Sequence, residues 1–80
     1  MSTYLRDNFN VGDLVTMKYA GKELMGHVTD VGTSILRMAF DYEHGRPGLW
    51  HIWQTSCGVK SEVESGILRV VARANQEHLG

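Results

Sequence analysis

The residues best suited to chemistry in this chain are its four histidines and its single cysteine. The intervals separating His44, His51 and Cys57 match none of the common zinc patterns, in which paired ligands stand about two to five residues apart. His44 also falls in a predicted hairpin tip, and His27 and His78 lie far from the others in sequence. We therefore predict solvated or singly hydrogen-bonded imidazoles, with no metal and no cofactor.

Nucleophilic or acid–base catalysis would need further groups that the sequence does not supply. Cys57 has His51 six residues before it, but no recognisable Asn or Asp to orient that imidazole. Glu62 and Glu64 share a face if extended, yet nothing places them in a cleft. A third hypothesis is an enzyme that completes its active site only at an oligomer interface. No group of catalytic residues in the sequence supports it. We predict a protein that is not an enzyme.

Trp50 and Trp53 are the candidate binding residues to weigh first. Residues three apart in a strand point to opposite faces, so the two indoles cannot enter the same small core. Ile52 shares the face of Trp50, which favours Trp50 as the core residue and leaves Trp53 outside with His51 and Leu49. The outer indole is covered either by a terminal segment of the chain or by a partner, and aromatic anchors carry much of the energy of protein interfaces.

Other candidate contacts surround this strand. Gly45-Arg46-Pro47-Gly48 is a hairpin signal that would present Arg46 on a stiff loop tip. Met25 adds polarizable apolar surface to the outer side of its strand. The predicted partner-binding residues are Trp53, His51, Met25, Arg46 and Arg37.

Composition limits the class of partner. Eighty residues make one domain with a small core, and 42% hydrophobic residues suffice to fill it. The formal net charge of −1 offers no basic excess to neutralise phosphates in bulk and no acidic excess to imitate DNA. Another protein is therefore the favoured partner, nucleic acid is the alternative, and self-association into a homodimer through an exposed barrel edge is left open.

Targeting signals are not evident. One cysteine excludes an internal disulfide and indicates a reducing compartment. The first residues lack a basic-then-apolar signal pattern, and no apolar run approaches the ~18 residues of a membrane span. We expect a soluble cytoplasmic protein with no membrane partner.

Hydrophobic alternation predicts five short strands. Ala20 to Glu23 reads as a loop, Cys57-Gly58-Val59 as a strand extension or bulge, and Glu62 to Gly66 as a single helical turn ended by glycine. Residues 1–10 form a frayed arm or a turn of helix that plugs a barrel, and residues 72–80 form a C-terminal tail. The strands are predicted at Asp13 to Tyr19, Leu24 to Val31, Ile35 to Tyr42, Leu49 to Trp53 and Ile67 to Val71.

The inward positions of these strands define the predicted core. Its members are Val15, Met17, Val28, Leu36, Met38, Phe40, Ile52 and Val70.

Residues 11–71 resemble SH3-like barrels of the KOW and Tudor type. The resemblance rests on Val11-Gly12-Asp13-Leu14-Val15, on Gly26-His27-Val28 and on the segment from Glu64 to Val71. It implies an all-β, single-domain, five-stranded antiparallel barrel with a short helical turn before the last strand. KOW modules are usually basic around their first loops, whereas only Lys18, Lys22 and Arg37 fall near them here.

Two functions follow as hypotheses. The first is a non-enzymatic protein-binding module, by association a small regulator or inhibitor of a larger protein machine, of the kind that bacteriophages encode. The second is a nucleic-acid-binding barrel that uses Lys18, Lys22, Arg37 and Arg46 around Trp53 as a stacking platform.

Overall fold

The structure, a computed structural model, describes residues 3–41 and 49–74. Its five strands form one antiparallel sheet in the order β4-β3-β2-β1-β5, which confirms the mostly-β fold. No pairing among the described residues joins β4 to β5, so the sheet is open there and its closure into a barrel stays a prediction. The elements are α1 (Tyr4–Asn8), β1 (Leu14–Tyr19), β2 (Lys22–Val31), β3 (Ile35–Asp41), β4 (Leu49–Thr55), α2 (Ser56–Glu64) and β5 (Leu68–Ala72).

A tight turn joins β1 to β2. Ala20 and Gly21 both have positive φ, 52° and 78°, the feature of the type I′ turns that fit the twist of antiparallel strands. Tyr19 therefore pairs directly with Lys22. The predicted loop through Glu23 is too long, because two residues with left-handed backbone complete the reversal.

Gly26 lies where β2 passes beneath a large side chain of β3. A Cβ at this position would lie 2.4 Å from the Ala39 carbonyl oxygen and 2.5 Å from Cδ2 of Phe40, its cross-strand partner. Only glycine allows this approach, and it lets the Phe40 ring become fully buried. The Gly26–Phe40 contact thus fixes which residues of β2 and β3 face each other.

The core lies against one face of the sheet, here called the inner face. Both helices pack on this face, α1 through Leu5 and Phe9 and α2 through Val59. Of the two alternatives predicted for residues 1–10, a frayed arm or a helical turn, α1 agrees with the helical turn. Ile52 and Val70 are only half-buried, although they pack against the core. The predicted core residues found buried are Val15, Met17, Val28, Leu36, Met38 and Phe40.

Helix α2 is longer than the single turn expected before the last strand. The Thr55 hydroxyl accepts a hydrogen bond from the Gly58 N–H at 3.2 Å, so the helix begins where a strand extension was predicted. The helix ends at Glu64, and Gly66 follows with a left-handed backbone, φ 83°. There the N–H of Ile67 donates to the Glu62 carbonyl and that of Gly66 to the Val63 carbonyl, a Schellman motif. The end of α2 was predicted correctly, and its beginning was not.

Asp13 is a fully buried carboxylate that fastens two segments distant in sequence. Its Oδ2 accepts from the Asn10 N–H at 2.9 Å and its Oδ1 from the Ala74 N–H at 2.8 Å. The Arg73 guanidinium lies 3.4 Å from Oδ2 and also donates to the Asn8 carbonyl. The chain before β1 and the chain after β5 are therefore held at one carboxylate, which satisfies the buried charge.

Candidate functional site

The opposite side of the sheet, the outer face, carries large exposed apolar side chains. Neither described helix packs its core residues there. Alternation along the strands places Thr16, His27, Arg37, Ala39 and His51 on this face. Its exposed apolar members are Leu14, Met25, Leu49 and Trp53.

Trp53 is the most exposed large apolar side chain of the outer face, at 60%. It lies directly opposite Arg37 on β3, and Arg37 lies opposite Asp30 on β2. Arg37 Nε is 3.9 Å from Asp30 Oδ2, with both side chains mostly exposed. Such a pair is weak, so the guanidinium can exchange Asp30 for another carboxylate at little cost.

A shallow pocket lies beside Trp53. Its volume is about 120 Å³, which suits one side-chain group better than a small-molecule ligand. It lies at the β3–β4 side of the sheet, where the predicted residues Trp53, His51 and Arg37 meet. Its walls include Thr29, Arg37, His51, Ile52 and Trp53.

Two histidines flank the centre of the outer face. The register aligns His27, Ala39 and His51 on three neighbouring strands. Ala39 is fully buried although it lies on the outer face, between the larger residues His27 and His51 on the neighbouring strands. This row of three residues lies next to the row that contains Arg37 and Trp53.

The remaining predicted contacts are not all beside Trp53. Met25 is 48% exposed on the outer face, but it lies opposite Thr16 on β1, two strands away from β4. It belongs to the far side of the same face rather than to the Trp53 pocket. Arg46 and His44 lie outside the described residues, so the contact predicted for Arg46 stays a prediction.

Trp50 lies on the inner face, opposite to Trp53 as predicted. It is half-buried and packs against the core. Its ring meets that of Tyr19 edge-on, with centroids 4.9 Å apart. Because β2 and β3 separate β1 from β4 in the sheet, this contact shows that the sheet curves strongly around its inner face.

The residues considered for catalysis are dispersed. Cys57 is exposed on α2, whereas His51 is on the outer face of β4. Glu62 Oε2 accepts from Gln54 Nε2 at 3.4 Å. No group of three or more His, Cys, Asp or Glu side chains placed to hold a metal occurs within the described ranges.

Of the basic residues of the nucleic-acid hypothesis, Arg37 lies opposite Trp53, whereas Lys18 and Lys22 lie away from it. Lys22 pairs with Tyr19 and shares the side of the buried Leu24, so it lies on the inner side. Lys18 is on the outer face but pairs with Glu23. By register it lies roughly 20 Å along the strands from the row of Trp53.

A groove that the sequence did not indicate lies between the helices and β5. Its volume is about 290 Å³, and its apolar walls include Phe9, Val63 and Val70. Arg73 lines it too, but its guanidinium is engaged with Asp13 and the Asn8 carbonyl.

Leu14 on the outer face was also missed, although its alternation with buried Val15 predicts it.

Comparison of the chain with models of protein families, with curated proteins and with solved structures finds no match. Across the part of the chain that the structure describes, neither helix has the length and apolar character needed to cross a membrane.

Proposed function

We propose that this chain is a non-enzymatic module that binds another protein through the outer face of its sheet, with Trp53 as the anchor. The observation that carries the proposal is the position of Trp53: 60% exposed, on the face opposite to both described helices. A tryptophan with most of its side chain exposed is available to a partner, and tryptophan is among the residues most enriched in interface hot spots.

The surroundings of Trp53 support a protein partner. His51 and Leu49 continue the surface along β4, and Arg37 offers a bidentate donor for a partner carboxylate. An aromatic centre with a polar rim is the usual anatomy of a protein interface. Met25 and Leu14 extend the apolar surface towards β1, and Arg46 is proposed as a rim contact.

The same proposal includes a more specific fold within the mostly-β class. The antiparallel order, the helix before the last strand and the curvature that brings Tyr19 to Trp50 support an SH3-like barrel. A small cytoplasmic regulator or inhibitor of a larger protein machine, as in bacteriophages, is the biological role that we propose by association.

Binding is tested with Trp53→Ala and a matched control. Tyr19→Ala removes an aromatic side chain of similar exposure, 54%, from the inner side. The tagged wild-type chain and both variants are used to capture proteins from the native host, and the captured protein is then purified for titration. We expect Trp53→Ala to weaken affinity about 30-fold or more, while Tyr19→Ala binds as the wild type does.

The titration also separates the competing hypotheses. A partner that binds folded Trp53→Ala as tightly as the wild-type chain contradicts the anchor. If the captured species is removed by nuclease and its affinity falls steeply with salt, the nucleic-acid hypothesis replaces the proposal.

A further inference from the structure

Within residues 3–41 and 49–74, no strand pairs with the free edge of β4, and the register identifies the backbone groups that are directed at this edge. The Ser56 N–H donates to the Ser34 carbonyl at 2.9 Å, which makes that pair a hydrogen-bonded one. Hydrogen-bonded and non-hydrogen-bonded pairs alternate along an antiparallel ladder. Gln54, Ile52 and Trp50 therefore direct their backbone groups at β3. The groups directed at the open edge belong to Leu49, His51, Trp53 and Thr55.

One of these edge groups is already satisfied. The Thr55 N–H donates to Gln54 Oε1 at 2.9 Å, as expected for an N–H that points away from β3. Among the described residues, no backbone hydrogen bond uses Leu49, His51 or Trp53 at the edge. These three residues form a short ladder of donors and acceptors ready for another strand.

Nothing in β4 itself discourages such pairing. Natural edge strands are usually protected by charged residues, proline or a bulge. Leu49–Thr55 contains no formally charged residue and no proline, and its register with β3 is continuous. The other edge differs, since β5 carries Arg69 and a register shift relative to β1.

We propose that β4 pairs antiparallel with β4 of a second copy, about a two-fold axis through His51. Each His51 then faces its symmetry mate, and Leu49 of each copy faces Trp53 of the other on the outer face. Trp50 faces Ile52 of the other copy on the inner face, where both side chains are half-buried. Apolar side chains meet on both faces, and all three edge residues are paired.

Neighbouring registers satisfy these groups less well. A shift that centres the axis on Trp50 pairs Leu49 with His51 and leaves Trp53 without a partner residue within Leu49–Thr55. A shift that centres it on Ile52 sets Leu49 opposite Thr55, whose N–H is already bonded. The axis through His51 is the one that pairs Leu49, His51 and Trp53 completely.

The dimer goes beyond the proposed function and does not depend on it. Its two outer faces join into one continuous surface across the axis. Self-association is measured on the purified chain alone, so the absence of a captured partner would leave this result unaffected.

The test uses opposite charges at the axis. Sedimentation of the full chain over a wide concentration range should show a reversible monomer–dimer equilibrium. His51→Lys and His51→Glu each place like charges face to face and should each raise the dissociation constant on the order of fivefold. Mixing the two variants should restore association through a Lys–Glu pair.

The matched controls are His27→Lys and His27→Glu, on the same face but on a central strand. They should dimerise as the wild type does, and circular dichroism should show all four variants folded. A wild-type chain that is monomeric at all concentrations overturns the proposal. So does a dimer unchanged by His51 substitution, or equal effects at His27 and His51.

A crosslink gives a second measurement of the register. Paired residues in hydrogen-bonded positions have Cα atoms about 5.5 Å apart, within disulfide range. In a Cys57→Ser background, His51→Cys should form a disulfide-linked dimer on mild oxidation, and His27→Cys should not. Failure of the His51→Cys chain to crosslink more than the His27→Cys chain overturns the axis.

Discussion

The rings of Tyr19 and Trp50 meet edge to face, with their centroids 4.9 Å apart and an interplanar angle of 66°. This contact forms although β2 and β3 lie between β1, which carries Tyr19, and β4, which carries Trp50. Edge-to-face pairs add about 0.5–1.5 kcal/mol to the area they bury. The contact accompanies the curvature of the sheet and places Trp50, unlike Trp53, in the packing of the inner face.

We predict unequal stability effects for the two tryptophans. Trp50→Ala should lower the free energy of unfolding by about 2–4 kcal/mol, because it removes core packing and the Tyr19 contact. Trp53→Ala should change it by less than ~0.5 kcal/mol, since the indole is exposed. Denaturant unfolding of both variants measures this. A larger loss for Trp53→Ala would mean that the outer indole is part of the core.

Phe40 should be among the most sensitive positions of the core. Phe40→Ala removes a fully buried ring and exposes the backbone of Gly26, so we expect a loss of about 3–5 kcal/mol. That is a large share of the stability of a small domain. Ile67→Ala, at a 39% exposed position, is the control. Equal melting temperatures for Phe40→Ala and the wild type would contradict the β3 register.

Loss of charge at Asp13 should destabilise the junction of the two chain segments. Asp13→Asn keeps the size of the side chain but replaces one acceptor oxygen by an N–H₂ group, which only donates, so the side chain can accept from the N–H of Asn10 or of Ala74 but not from both. We expect a cost of about 1–3 kcal/mol in unfolding free energy. A double-mutant cycle with Arg73→Ala measures the part due to the ion pair. Unchanged stability in Asp13→Asn would show that the carboxylate contributes nothing net.

Two glycines of the α2 region should respond differently to alanine. Gly66→Ala forces a side chain into a left-handed backbone and should cost about 1 kcal/mol or more. Gly58→Ala gains helix propensity of about 1 kcal/mol, but its Cβ would lie 2.4 Å from Gln54 Oε1 and would displace an amide that bonds the Thr55 N–H and Glu62. The two effects oppose each other, so the net change should be near zero. Thermal unfolding of the two variants gives the comparison. The Schellman assignment is wrong if Gly66→Ala is the milder change.

The parts of the fold that depend on local pattern were predictable. Alternation placed Phe40 and Met38 inside and Trp53 outside, and the terminal glycine marked the end of α2. The start of α2 was missed because Cys57, Gly58 and Val59 have no helical pattern, and the Thr55 cap acts only once the chain has turned.

Contacts between residues that are distant in the sequence could not be predicted from it. Asp13 accepts hydrogen bonds from residues about sixty positions away. The residues next to it in the sequence do not distinguish it from a solvated aspartate in a turn. The grouping of Arg37 with Trp53, and the separation of Met25 from both, depends on strand register. Alternation assigns a residue to a face but not to a neighbour across the sheet.

The position of β5 has a consequence for the order of folding. β1 to β4 follow one another as neighbours, so their pairings close short loops, whereas Thr16 pairs with Arg69 about fifty residues later. Loop closure over that distance carries a larger entropic cost, and contacts distant in sequence slow folding. We expect β5 to dock last and its amides to exchange with solvent by local detachment before those of β2 and β3.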